Sequence, residues 1–122
     1  MFKKSLSESP RRIRPGVLSH ILLQSGDVST DNLSVAWVEV EPGAQQQPHH
    51  HIPEQAYVIV GGHGRIRVGS EIADAQAGDL LHIPSNVEHA VENVGPEKLV
   101  YVSITVPAFD IEALYDTGQL RG

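Results

Sequence analysis

Apolar residues in this chain recur at every second position, in short runs that each end in a cluster of Gly, Pro, Asn or Asp. A two-residue period belongs to a strand with one buried face, because successive side chains leave the backbone on opposite sides. The pattern predicts strands over residues 17–23 and 33–40, closed by Ser25-Gly26-Asp27 and Pro42-Gly43. A longer extended segment follows over 49–60, bent at Pro53, because proline cannot donate to a central ladder. Gly61-Gly62-His63-Gly64 reads as a tight turn into a strand over 65–68, with Ile66 and Val68 inward and Arg65 and Arg67 toward water. Short strands over 72–75, 80–83, 89–94 and 99–106 complete the set, and so many short strands at even spacing predict an all-β sandwich or barrel. The tail differs: Asp110 can cap a short C-terminal helix to about Leu114, and Gly118 would stop it.

A chain of 122 residues suits one domain. We read residues 1–16 as an N-terminal arm and 17–122 as the barrel domain. The absence of cysteine excludes disulfides, thiolate metal sites and cysteine nucleophiles. A net charge of −6 argues against a nucleic-acid partner. Lys3, Lys4, Arg11, Arg12 and Arg14 form the one basic cluster, and their Ser/Pro-rich surroundings suggest a solvated arm. No apolar run approaches the roughly 20 residues of a membrane span, and no signal-peptide core is evident, so the expectation is a soluble cytoplasmic protein with no membrane partner. Residues 57–60 and 99–106 are apolar on both faces, which suggests that a second copy covers one sheet face in a homodimer.

Histidine carries the chemistry. Seven are present, and three are consecutive: His49, His50 and His51. On a strand His49 and His51 share a face with Cα atoms about 6.6 Å apart, close enough to converge on one ion at roughly 2.0–2.2 Å. His50 then faces the other way. Gln55 keeps the parity of His51 beyond the Pro53 bend, and His89 enters from a separate strand after the turn Pro84-Ser85-Asn86.

Gly43, five residues, His49-x-His51, three residues, Gln55, six residues and Gly62 resemble the first motif of the cupins. Gly78, five residues, Pro84, then Asn86, His89 and Asn93 resemble the second. Two departures stand out: Gln55 occupies the usual glutamate position, and Asn86 replaces a glycine at a left-handed turn position that asparagine tolerates. The resemblance spans residues 43–93. It implies a jelly-roll β-barrel holding one divalent metal through His49, His51, His89 and Gln55. Imidazole and amide ligands admit Mn, Fe, Ni, Cu, Co or Zn. Three imidazoles and an amide are all neutral, so the ion would keep its +2 charge and attract a small anionic organic ligand.

Glu54 is a rival ligand of the wrong parity. Tyr57 shares the inward parity of Gln55 and is a candidate for pocket or core; Trp37 could border the cavity, although core is the commoner fate. His50, His82 and Tyr57 are the candidates for a general base. His63 is expected to be exposed and His20 packed. The function implied is a metal-dependent enzyme acting on a small oxygenated anion, of sugar-acid isomerase or ring-opening type or of dioxygenase type. The alternative is a non-catalytic module that binds a small metabolite.

Overall fold

The computed structural model describes residues 1–108; the expected helix from Asp110 lies outside them. A 3-10 turn at Leu6–Glu8 precedes ten strands: β1 Arg11–Arg14, β2 Val17–Leu23, β3 Ser34–Val40, β4 Gln45–His49, β5 Glu54–Gly61, β6 His63–Val68, β7 Glu71–Gln76, β8 Leu80–Ile83, β9 His89–Asn93 and β10 Leu99–Val106. They form a six-stranded sheet in the order β1-β2-β3-β10-β5-β8 and a four-stranded sheet in the order β4-β9-β6-β7, with antiparallel pairing throughout. This is an all-β pair of sheets, as the period-two pattern predicts, and the jelly roll that the cupin resemblance implies.

Alternation along the strands builds the core. In β3, Ser34, Ala36, Val38 and Val40 are buried while Val35, Trp37 and Glu39 are half-buried on the outer face. Val17, Val40, Ile59, Ile66, Val91, Leu99 and Tyr101 meet between the sheets. Each large apolar side chain removed from water there contributes roughly 1.5–3 kcal/mol. Trp37 is not a cavity residue: it sits on the outer face opposite His20, and its Nε1 donates to Glu39 at 3.2 Å. His20 is half-buried on that face, 3.5 Å from the Glu39 carboxylate.

Two turns decide where the sheets meet. Gly62 has φ +82°, and a Cβ there would lie 2.3 Å from the Lys98 carbonyl oxygen, so only glycine lets β5 turn into β6 against the start of β10. Among the described residues, Asn86 is the non-glycine residue with positive φ, at 60°, as the motif substitution suggests. Buried Asn93 donates from Nδ2 to the carbonyls of Val40 at 2.8 Å and Glu97 at 2.7 Å, and its Oδ1 accepts from Gly95 N–H at 2.9 Å.

Two local expectations change. The segment 49–60 is not one bent strand: β4 ends at His49, β5 begins at Glu54, and β4 includes Pro48. Proline is tolerated because β4 is the edge of its sheet. The N-terminal arm is not wholly solvated either. Residues 11–14 pair with β2, placing Arg11 opposite His20 and Arg14 opposite Val17.

Candidate metal centre

His49 and His89 are directly opposed across the β4–β9 ladder, and His51 follows in the loop between β4 and β5. His51 has no ladder of its own, but two hydrogen bonds anchor its loop: the Asn86 N–H donates to the His51 carbonyl at 2.7 Å, and the Ser85 hydroxyl donates to the Ile52 carbonyl at 2.6 Å. The parity read from the sequence survives outside the strand. His49 (4% exposed), His51 (7%) and His89 (0%) are buried, while His50 is exposed.

The three rings pack around one point. Their centroids are 4.3–5.5 Å apart, and one ring nitrogen from each lies within 4.8 Å of the others, a spacing that can hold a metal ion. Each imidazole is locked from behind by its own backbone. Nδ1–H donates to the Gln47 carbonyl from His49 (2.8 Å), to the Pro53 carbonyl from His51 (2.8 Å) and to the Val87 carbonyl from His89 (2.9 Å). Those bonds place the proton on Nδ1 and leave the Nε2 lone pair for another partner. The Nε2 of His89 is buried and has no hydrogen-bond partner among the described residues, a cost that an ion would relieve.

The same burial keeps the rings neutral. Burial, with a further push from a charge on His89, lowers the pKa of His49 to about 3. Burial, with the His51 charge as a smaller cause, lowers His89 to about 4. Burial also lowers His51, opposed by its hydrogen bonds to the Pro53 carbonyl and to Gln55. Neutral imidazoles with aligned lone pairs are the form in which histidine binds a metal.

Gln55 is 6% exposed beside this cluster. Its Nε2 donates to Thr105 Oγ1 at 2.9 Å and Ser103 Oγ at 3.2 Å, both on β10, and its Oε1 accepts from Tyr57 Oη at 3.2 Å. The amide nitrogen is thus turned to β10, and the oxygen is the atom left for the histidine side. Tyr57 is 3% exposed, with its ring 6.0 Å from His89 and 4.6 Å from Tyr101.

The other sequence candidates fall elsewhere. His82 points outward and pairs with the exposed Glu54 carboxylate, which removes both from the interior. His50 is on the rim, its Nδ1 2.9 Å from Asn86 Oδ1. A charge on His50 is nevertheless near enough to disfavour one on His51 and His89. His63 is exposed at the start of β6. Ser103 and Thr105 were not recognisable beforehand, since alternate hydroxyls in an apolar strand carry no distance information. Arg12 and Arg14 are also placed differently from expectation: they lie opposite the buried Ser19 and Val17, on the inner side.

The profile described as Cupin domain matches residues 36–105. The chain belongs to the cupin family. Among its relatives, this cupin is 30% identical over 78 residues to the dimethylsulfoniopropionate lyase DddW of Ruegeria pomeroyi, a match covering 64% of this chain and 51% of that protein. It is 38% identical over 79 residues to the oxalate decarboxylase OxdC of Bacillus subtilis, covering 59% of this chain and 20% of that one. The matches thus span about half of the lyase and a fifth of the decarboxylase. In structure this cupin resembles an RmlC-like cupin from Shewanella frigidimarina (TM-score 0.76, 20% identity, 90% of this chain and 94% of the other). It also resembles KdgF from Halomonas sp. (TM-score 0.74, 23% identity, 90% and 96%). At those identities the likeness establishes the fold. No helix among the described residues is long and apolar enough to cross a membrane.

Proposed function

We propose that this cupin holds one divalent transition metal on His49, His51 and His89, with the Gln55 amide oxygen as fourth ligand, and that it is an enzyme acting on a small oxygenated carboxylate. The observation that carries this reading is the set of three buried imidazoles, each with its Nδ1–H committed to a backbone carbonyl. A purely structural cluster would gain nothing from a buried His89 Nε2 without a hydrogen-bond partner among the described residues.

A metal bound there supplies Lewis acidity toward the oxygens of a carboxylate or carbonyl. The chain supplies the rest. Gln55 adds no negative charge, so the centre favours an anion more than a glutamate would. Tyr57 donates its Oη proton to Gln55 Oε1 and is the interior candidate for proton transfer; His50 is the rim candidate. Two named relatives are a lyase and a decarboxylase of small carboxylates. Their names favour bond cleavage or isomerisation beside a carboxylate, such as ring opening of a sugar acid, over oxygenation.

Elemental analysis of protein purified without a metal-binding tag is expected to give about one equivalent of a transition metal per chain. Gln55→Glu is expected to keep that metal, because the Ser103 and Thr105 hydroxyls can rotate to donate to a carboxylate. By calorimetry, its affinity for oxalate should fall about tenfold from the added negative charge, a change of about 1.4 kcal/mol. Equal or tighter oxalate binding in the variant would refute the neutral-shell argument. A folded, metal-free chain that still binds small metabolites would favour a non-catalytic binding module.

The protein is further proposed to be a cytoplasmic homodimer. The outer face of the six-stranded sheet presents Val35, Trp37, Val58, Val102 and Ile104 half-buried, with Val60 44% exposed. A face this apolar suits a second copy of the same sheet. Analytical ultracentrifugation should give twice the monomer mass, and a monomer at micromolar concentration would contradict the proposal.

A further inference from the structure

The second cupin motif usually has glycine where this chain has Asn86. A φ of 60° restricts the position, and asparagine is among the few residues that tolerate it. Tolerance alone does not account for the side chain. Asn86 Oδ1 lies 2.9 Å from Nδ1 of His50, the residue between His49 and His51. An amide oxygen can only accept, so the ring donates from Nδ1. A glycine would leave this bond unmade.

His50 belongs to a stretch of the centre that no ladder holds. β4 ends at His49 and β5 begins at Glu54, so residues 50–53 lie between strands. Hydrogen bonds to the turn before β9 hold three of them instead. The Asn86 side chain accepts from His50, the Asn86 N–H donates to the His51 carbonyl at 2.7 Å, and the Ser85 hydroxyl donates to the Ile52 carbonyl at 2.6 Å. Both sides of this clasp reach a metal-site histidine. Pro53, at the end of the held stretch, supplies the carbonyl that accepts from His51 Nδ1. Val87, next to Asn86, supplies the carbonyl that accepts from His89 Nδ1, and its own N–H closes the turn on the Pro84 carbonyl at 3.3 Å. A shift of the turn against the loop would therefore re-aim two imidazoles at once.

We propose that Asn86 is a positioning residue of the metal centre: through His50, its side chain fixes the 50–53 loop, and with it His51, before an ion arrives. This rests on the reading of the histidine cluster as a metal site and adds a residue outside the donor set. The physical basis is preorganisation. Apparent affinity falls in proportion to the fraction of time the loop spends in its competent arrangement. A bond that holds this arrangement in the metal-free protein raises that fraction without touching the metal. Partners that orient a ligand directly are worth about 10–100-fold in metal affinity. Asn86 acts one step further out through an exposed bond, so about fivefold is expected.

The test titrates metal-stripped, full-length protein with cobalt(II), whose visible absorption reports both occupancy and ligand geometry. Asn86→Gly keeps the positive φ and the backbone bond to His51, and removes only the side-chain contact. It should bind cobalt about fivefold more weakly, with the saturated spectrum of wild type because the donor set is unchanged. His50→Ala should weaken binding by a similar factor. That variant leaves the turn's backbone untouched, so its loss cannot come from the added freedom of glycine. The double variant should bind no more weakly than either single one, as two residues acting through one contact require. An asparagine kept only for its backbone conformation makes the opposite prediction: Asn86→Gly would bind cobalt as wild type does, and that result overturns the proposal while leaving the metal reading intact. Losses that add in the double variant also overturn it, because the two side chains would then act separately. Wild-type protein that takes up no cobalt would defeat the metal reading, and this proposal with it.

Discussion

Replacing His89 with alanine is expected to strip the chain of most of its bound metal while leaving the β-sheet intact. His89 is fully buried, faces His49 directly across the β4–β9 ladder and has its Nδ1–H tied to the Val87 carbonyl. Its ring therefore cannot be replaced by a swing of the exposed His50 or His82, whose own partners, Asn86 and Glu54, hold them at the rim and outside. Loss of a partner that merely orients a ligand already costs about 10–100-fold in metal affinity, so loss of the ligand itself should cost at least about 100-fold. The barrel should survive, because the apolar contacts of Ile66, Val91 and Ile59 do not depend on the imidazole. Metal retained after dialysis and the far-ultraviolet circular dichroism of His89→Ala, with His82→Ala as control, give the two readouts. Near-stoichiometric metal in His89→Ala would remove His89 from the site. A collapsed β signal would show instead that the ion is part of the fold.

Acid should destabilise the metal-free barrel well before its carboxylates protonate. The pKa of His49 is lowered to about 3 and that of His89 to about 4, chiefly by burial, whereas an unfolded histidine titrates near about 6.5. Below that value the unfolded chain binds protons that the folded chain refuses, so stability rises with pH across the interval. The stabilisation is fully present above about pH 6.5 and is lost as the pH falls toward the folded values. At about 1.4 kcal/mol per pH unit, the two rings together withdraw on the order of 8 kcal/mol once the pH has fallen to the folded values. Urea unfolding of the metal-free protein between about pH 4 and 8 should show midpoints falling steeply below about pH 6.5. A flat profile would mean that the rings accept protons in the folded state without penalty. Bound metal should leave over the same interval, because proton and ion compete for the imidazole lone pairs.

Much of this was legible in the sequence, and the reasons differ residue by residue. Period-two alternation identified nearly every strand because sheet faces are separated by one residue and water is on one side only. It failed at β1, where Ile13 is outside and Arg12 and Arg14 are inside. There the rule that apolar side chains go inward is overridden by the contacts of Arg14 with Ser19 and Gln46. It also merged β4 and β5 into one segment, since an extended loop and a strand have the same parity and differ only in who accepts their hydrogen bonds. His82 could not be assigned a face from its neighbours Leu81 and Ile83; its register opposite Ala56 turns it outward to Glu54.

The sequence by itself determined the fold class, the shared face of His49 and His51, the left-handed turn at Asn86 and the neutral character of the donor set, all properties of neighbours along one strand or turn. Only the tertiary structure decided that His89 stands opposite His49, that Ser103 and Thr105 turn the Gln55 amide, and that Arg14 reaches from one sheet edge to the other. Those contacts join residues 32 to 50 positions apart. Local chemistry specifies a side chain's direction, but the distance between two strands follows from how the whole barrel closes.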